Sequence, residues 1–252
     1  MSNNIVIIMA GGEGKRMESS TPKVLHLLKN KPMIIHILEK VIKLNPSYIY
    51  VIVGKHRNVI INTIEKYINS EKLIYIDQNP ALGTGHAIMC THDFVNNEPH
   101  INKPNYNILI LSGDVPLISI DTMTEMLNTK YKVNILATHR ENNFGYGRII
   151  EDTSNKFIKI VEENDCNEEE KKIKKINCGV YSFNCEILYK YIDKITNNNS
   201  KLEYYLTDIF EIIKNNERLD INIVNLNPNK FIEVTGVNTK KQLDELEKEL
   251  EK

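Results

Sequence analysis

The sequence has no long apolar run, almost no net charge, no cysteine pair at metal-binding spacing and no internal period, and each absence narrows what the chain can be. No stretch approaches the ~20 apolar residues of a membrane-spanning helix. Met1-Ser2-Asn3-Asn4 passes straight into the first apolar run without the pattern of a signal peptide. Lys and Arg (32) balance Asp and Glu (33) to a formal net charge of -1. Charge therefore gives no argument for nucleic acid or an anionic membrane as partner. Cys90, Cys166, Cys178 and Cys185 show no Cys-x-x-Cys pairing, so reduced thiols are expected, not a disulfide framework. His26, His36, His56, His92, His100 and His139 lack metal-ligand spacing. Together these point to the cytoplasm. No hexapeptide or other repeat is visible, and 252 residues suit one large α/β domain or two small ones.

What is present begins at the first apolar run. Ile5-Val6-Ile7-Ile8 reads as a buried strand that empties into Met9-Ala10-Gly11-Gly12-Glu13-Gly14-Lys15-Arg16-Met17, closed by Pro22-Lys23. Glycines bring backbone N–H groups close to an anion because no Cβ intervenes. Arg16 and Lys23 add fixed positive charge. The chemistry predicted is phosphate handling, of a triphosphate. Two common phosphate loops do not fit. A Gly-x-x-x-x-Gly-Lys-Ser/Thr loop needs glycine where Met9 stands and Ser or Thr where Arg16 stands. The dinucleotide fingerprint Gly-x-Gly-x-x-Gly needs a glycine where Met17 stands. On the loop alone, an ordinary strand-to-helix connection is the simpler alternative.

Further along, strands are expected at 49–53, 73–77, 108–111 and 133–138, and helices at 32–44, 58–68, just after the loop 78–87, and at 120–127. Pro32 is tolerated at a first helical position, where its missing N–H would have no partner anyway. Strands alternating with helices at this spacing predict βαβ units and a mostly parallel sheet. Ligands of such sheets bind beyond the carboxyl ends of the strands. The glycine loop, the loop from Gln78 and Asp114 are therefore expected in one cleft. After Arg140 the rhythm changes to a hairpin (145–150 with 157–161), a charged helical stretch (167–175), a strand (177–183), helices (186–195 and 206–213), a strand (221–224) and a terminal amphipathic helix. No linker of disordered composition intervenes, so one domain over 1–252 is expected. Its parts are a first lobe to about 140, a second over about 141–235 and the helix 239–252.

Several residues admit two readings. Asp114, in Ser112-Gly113-Asp114-Val115-Pro116, is either a Mg²⁺ ligand or a turn-forming Asp. Thr84 either caps the following helix or faces a nucleobase with Gln78 and Gly83. His86 reads as structural. Glu162 and Asn177 suit hydrogen bonding to sugar hydroxyls or an acetamido group, whereas Glu163 and Glu168 to Glu170 read as a solvated face. Asn238 reads as the cap of the last helix or a second metal ligand.

Taken together the motifs resemble one family. They are the glycine loop with Pro22-Lys23-Val24-Leu25-His26, Gln78 with Leu82-Gly83-Thr84-Gly85-His86-Ala87, and Gly113-Asp114-Val115-Pro116-Leu117. They continue with Gly145-Tyr146-Gly147-Arg148-Ile149, Val161-Glu162, Ile176-Asn177-x-Gly179, Glu203-Tyr204-Tyr205-Leu206-Thr207-Asp208 and Gly236-Val237-Asn238. In this order they are similar to the sugar-nucleotide pyrophosphorylases, and within them to the N-terminal uridyltransferase domain of bifunctional bacterial N-acetylglucosamine-1-phosphate uridyltransferases.

The resemblance implies an α/β, Rossmann-like nucleotide-diphospho-sugar transferase fold, its mostly parallel sheet flanked by helices, with a smaller β-rich sugar-binding lobe. It implies that Arg16 and Lys23 bind the β- and γ-phosphates. Met9, Ala10, Gly11, Gly12, Gly14, Gln78, Gly83 and Thr84 would surround the nucleotide. Asp114 and Asn238 would hold Mg²⁺, and Gly147, Glu162, Asn177, Tyr205 and Thr207 would line the sugar pocket. The reaction implied is UTP plus N-acetylglucosamine 1-phosphate giving UDP-N-acetylglucosamine plus pyrophosphate, by in-line attack on the α-phosphorus.

Three departures accompany it. The family's β-helical acyltransferase half, through which it trimerises, has no counterpart in this sequence. Acetylation is not expected, and the chain is expected to be a monomer or weak homo-oligomer whose partners are small molecules, with neither nucleic acid nor membrane. Ser112 stands where an aromatic residue is usual, and Lys15 and Cys178 each replace a common Thr, which bears on base and sugar stringency. The competing readings are a glucose 1-phosphate nucleotidylyltransferase, a non-catalytic nucleotide sensor and a dinucleotide oxidoreductase. The first is opposed by the Glu162 and Asn177 loops and 203–208. The second is opposed by the presence of Arg16, Lys23, Asp114 and Asn238, and the third by the missing glycine.

Overall fold

The computed structural model describes residues 3–12 and 14–251, with Lys15 described by its backbone alone, so Glu13 and the Lys15 side chain of the glycine loop lie outside the described residues. Strand β1 (Asn4–Met9) is the one on which the others are laid. Ile5, Val6, Ile7 and Ile8 are fully buried, as befits a strand covered on both faces. A two-residue ribbon, β2 (Leu27–Leu28) and β3 (Lys31–Pro32), leads into α1 (Met33–Lys43). There follow β4 (Tyr48–Val53), α2 (Arg57–Tyr67), β5 (Leu73–Asp77), α3 (Thr84–Met89), α4 (His92–Asn97), β6 (Asn107–Ser112), α5 (Ile120–Leu127) and β7 (Val133–His139). The hairpin β8 (Arg148–Glu151) and β9 (Phe157–Val161) precedes β10 (Lys175–Asn184), α6 (Cys185–Tyr191), α7 (Asp208–Asn216), β11 (Asn222–Asn225) and α8 (Lys240–Glu249).

The main sheet has the order β11-β7-β10-β6-β1-β4-β5. Pairs among β5, β4, β1 and β6 are parallel, as is β11 with β7. β10 runs antiparallel between β6 and β7, so the sheet is mixed with a parallel majority. Alternation along β1 sends Ile5 and Ile7 to a core shared with α3, α6 and α7, and Val6 and Ile8 to one shared with α1, α2 and α5. The architecture is the three-layer α/β sandwich expected. A third small core seats α8 through Leu243 and Leu246 on Leu28, Met33 and Val237. None of the described helices is long and apolar enough to cross a membrane.

Three local expectations are corrected. The stretch 167–175 is not a helix; only a 3₁₀ turn, Glu170–Lys172, forms. Asn167 Oδ1 takes the N–H groups of Glu169 and Glu170 (3.0 and 2.8 Å), and the segment offers no apolar stripe to bury. Pro32 precedes the first helical turn as its N-cap and does not occupy it. Asn238 does not cap α8. Thr239 does, through a capping box in which its hydroxyl accepts from the Gln242 N–H (3.2 Å) and Gln242 Oε1 accepts from the Thr239 N–H (3.1 Å). Helix α4 was not legible at all; its single buried apolar residue, Val95, gives no period.

Removing the cap should loosen α8. Thr239→Ala is expected to cost about 1 kcal/mol of unfolding free energy, read as a lower urea midpoint at unchanged slope. An unaltered midpoint would mean that the helix is held by Leu243 and Leu246 alone.

Candidate active site

The carboxyl ends of β1, β4, β5 and β6 lie side by side because their registers are parallel: Met9 pairs with Ile52 and Ser112, and Val53 with Asp77. The loops leaving β1, β5 and β6 open on one cleft, while the loop after β4 lines a separate hollow with Asp77 and Asn79. One half is lined by Met9, Gly12, Gly14, Arg16, Lys23, Gly83, Thr84 and Asn238, with Lys201 and Glu203 on its far wall. The adjoining half, about 320 Å³, shares Met9, Thr84 and Asn238 and adds Ser112, Asp114, Tyr146, Gly147, Glu162, Asn177 and Thr207.

Where the halves meet, four side chains converge. Lys23 Nζ donates to Asp114 Oδ2 and to Asn238 Oδ1 (3.1 Å), and Arg16 Nη2 donates to the same Asn238 oxygen (2.8 Å). Lys23 and Asp114 keep only 17% of their side-chain surface each, so their attraction is poorly screened. Asn238 is brought here by the Val237 N–H, which donates to the Asp114 carbonyl (2.9 Å). Gly14 makes the approach of Lys23 feasible. Its φ is +63°, and a Cβ would stand 2.8 Å from the Lys23 Cβ.

Ala10, Gly11 and Gln78 lie behind this lining and are buried. The Gln78 amide donates to the Gly83 carbonyl (2.8 Å), tying the β5 loop to the start of α3. His86 stands beside it, Nδ1 3.4 Å from Gln78 Nε2, and burial lowers its pKa. Gly83, not Thr84, is the cap residue of α3. It has φ +111°, and a Cβ there would lie 2.6 Å from the Tyr204 carbonyl. The Thr84 hydroxyl is used otherwise, accepting the Leu206 N–H (3.0 Å). Residues 203–207 thus form a strap across the base of both halves, fixed also by Tyr204 N–H to Leu82 O (2.8 Å) and Gly85 N–H to Tyr204 O (2.7 Å).

The strap continues to Thr207, whose hydroxyl donates to Glu162 Oε1 (2.8 Å). Asn177 lies at a register shift in β10, next to Gly179, where the strand turns toward the cleft. Its amide donates to the Tyr181 hydroxyl (2.7 Å) and its carbonyl oxygen accepts the Gly179 N–H (3.1 Å). Tyr205 is buried and does not join the cleft lining; desolvation pushes its phenol up to about 12. The sequence reading missed Lys201 and Glu203 in the lining, since nothing local marks a strap as such. It also misplaced Glu163. Far from a solvated face, Glu163 Oε2 pairs with the buried Arg148 at 2.7 Å.

Carboxylates crowd this wall. Burial, then the neighbouring Glu162, Glu211 and Asp165, raise Asp208 to about 6, and burial raises Glu162 as well.

The comparisons with known proteins agree with this geometry. The family model described as nucleotidyl transferase matches residues 5–228, and the chain belongs to that family. A protein of Acanthamoeba polyphaga mimivirus named probable UDP-N-acetylglucosamine pyrophosphorylase is 42% identical over 246 residues, 96% of this chain and 94% of that one. The bifunctional protein GlmU of Clostridium kluyveri (strain NBRC 12016) is 40% identical over 249 residues, 97% of this chain and 52% of that one. The chain therefore spans about half the length of such bifunctional relatives, matching their N-terminal domain. Among solved structures, UDP-glucose pyrophosphorylase complexed with UDP-glucose has a TM-score of 0.73 at 15% identity, covering 100% of this chain and 99% of that one. That likeness shows the shared Rossmann-like fold.

The raised carboxyls have a signed consequence. The native pKa of Asp208 exceeds the unfolded one, so the native state binds more protons between about pH 4 and about 6, and stability falls as pH rises through that window. Asp208→Asn is expected to flatten this fall in urea midpoints measured across it. An unchanged slope would assign the effect to other groups.

Proposed function

We propose that the protein transfers a uridylyl group from UTP to N-acetylglucosamine 1-phosphate, giving UDP-N-acetylglucosamine and pyrophosphate. The observation that carries this is the meeting of Arg16, Lys23, Asp114 and Asn238 at the seam of two adjoining half-sites. Charges of both signs at a seam suit joining two anionic substrates. The choice of base and sugar is supported by the viral relative's name and by the polar wall of Glu162, Asn177 and Thr207.

In this reading the nucleotide occupies the half lined by Met9, Gly12, Gly14, Gly83 and Thr84, with Ala10, Gly11 and Gln78 supporting it from behind. Arg16 and Lys23 neutralise the β- and γ-phosphates and steady the departing pyrophosphate. The sugar lies against Gly147, Glu162, Asn177 and Thr207. An oxygen of the sugar phosphate attacks the α-phosphorus in line as the bond to pyrophosphate breaks. No side chain is needed as nucleophile, and the chain contributes by holding both reactants in place.

A divalent cation fits the seam. The Asp114 carboxylate and the Asn238 amide oxygen already converge on one cation, the Lys23 ammonium. Mg²⁺ commonly takes one or two protein oxygens and completes its shell with phosphate and water. Among the described residues no cluster of three or more acidic, His or Cys side chains offers a closed metal cage. When bound, the ion would supply charge neutralisation at the phosphates.

The test is pyrophosphate release with Mg²⁺, crossing four nucleoside triphosphates against N-acetylglucosamine, glucose and glucosamine 1-phosphates. Release confined to UTP with N-acetylglucosamine 1-phosphate is expected. Preference for another pair would keep the mechanism and move the specificity, and no release with any pair would overturn the reading. Lys23→Ala should lower kcat by on the order of 10²-fold. Asp114→Ala should abolish Mg²⁺-dependent turnover while the urea midpoint shows a folded protein.

A further inference from the structure

Arg148 is the largest of the fully buried side chains, 1% exposed in the first position of β8, and the proposed mechanism does not use it. Its Nη2 pairs with Glu163 Oε2 at 2.7 Å, and its Nη1 donates to the Tyr146 carbonyl. The same Glu163 oxygen accepts the Gly145 N–H at 3.0 Å. The next link is made by β10, whose Asn177 N–H donates to the Gly147 carbonyl at 2.9 Å. Gly145, Tyr146 and Gly147 are consecutive, and all three line the second half of the cleft. Each is anchored by a hydrogen bond to another element, two of them through the Arg148–Glu163 pair; Tyr146 N–H also donates locally to the Asn143 carbonyl (3.3 Å). The pair also joins the two edges of that wall, since Arg148 opens β8 and Glu163 follows β9 next to Glu162.

Stability alone does not account for this arrangement. Burying a guanidinium is costly, and Arg148 Nε has no hydrogen-bond partner among the described residues. A methionine would fill the space without that cost. It would not, however, hold the Tyr146 carbonyl or orient Glu163 toward the Gly145 N–H.

We propose that Arg148 and Glu163 are a positioning pair that fixes loop 145–147 against Glu162, and so sets the width of the pocket for the N-acetylhexosamine part of the sugar phosphate. The proposal rests on the assignment of that half of the cleft to the sugar. Neither residue touches the nucleotide half, so the two substrates should respond differently to the loss of the pair.

The experiment compares wild type, Arg148→Met, Arg148→Lys, Glu163→Gln and Glu163→Leu in steady-state pyrophosphate release, with UTP and the sugar phosphate varied in turn. Urea midpoints are measured alongside. Arg148→Met and Glu163→Leu should raise KM for N-acetylglucosamine 1-phosphate by about 10-fold or more and leave KM for UTP within about twofold. Glu163→Gln, which keeps a hydrogen-bond acceptor, and Arg148→Lys, which keeps the charge, should recover part of the loss. Equal changes in both KM values, or none in folded variants, would overturn the proposal and leave the pair a structural one. Should Arg148→Met fail to fold, the two Glu163 variants decide the question by the same split. Absence of release by wild type with every sugar phosphate would instead overturn the reading of the site, and the proposal with it.

Discussion

The placement of β1 between β4 and β6, parallel to both, is the constraint on which the rest depends. A strand apolar on both faces has to be covered on both, and parallel neighbours require crossover connections. Helices on each side of the sheet supply the cover. The same pairing lines up the ends of four strands at one edge, and the loops after β1, β5 and β6, far apart in sequence, share a cleft. Ala10 N–H donates to the Ile52 carbonyl (2.8 Å) and Gly113 N–H to the Met9 carbonyl (2.9 Å), carrying the ladder one step past the strand ends into these loops. The site's floor is thus an extension of the core and inherits its rigidity.

Charge is handled at that floor by mutual cancellation. Two cations, one carboxylate and one amide oxygen meet there, and for the partly buried Lys23 and Asp114 an unpaired charge would be costly. The pairing leaves a net charge of about one positive at the centre of the cleft, with the cations held by partners that a phosphate can replace. The opposite tendency shows on the wall of Glu162, Asp165, Asp208 and Glu211. There burial first, and the like charge of neighbouring carboxylates second, raise Asp208 and Glu162 above the usual carboxylate range.

Much of this was legible in the sequence, for identifiable reasons. Residues 49–53 were read well because they are a continuous apolar run ended by Gly54, the pattern that burial on both faces demands, and 73–77 and 133–138 because short apolar stretches there are bounded by polar residues. Arg16, Lys23, Asp114 and Asn238 could be named singly because each sits in a short motif. That Lys23 stands between Asp114 and Asn238 could not, since it is separated by 91 residues from one and 215 from the other. The errors were local competitions. Thr239 and Asn238 are both good capping residues, and only the reach of Gln242 decides between them. Glu163 looks like its exposed neighbours in sequence, and its partner Arg148 is an unremarkable strand residue until it is seen to be buried. The charged run 167–175 has the composition of a helix but no face to bury.

The strap 203–207 has a consequence for how specificity could change. Its backbone supports Thr84 on one side, and its Thr207 holds Glu162 on the other. A substitution that shifts it disturbs both half-sites at once, so under the proposed assignment selection for a new sugar at that place would be opposed by loss of the nucleotide half. Loop 145–147 and its anchors bear on one half only. Under the proposed assignment, variation in sugar choice therefore has an independent route through that loop, while the strap is a place where the two specificities are bound to drift together.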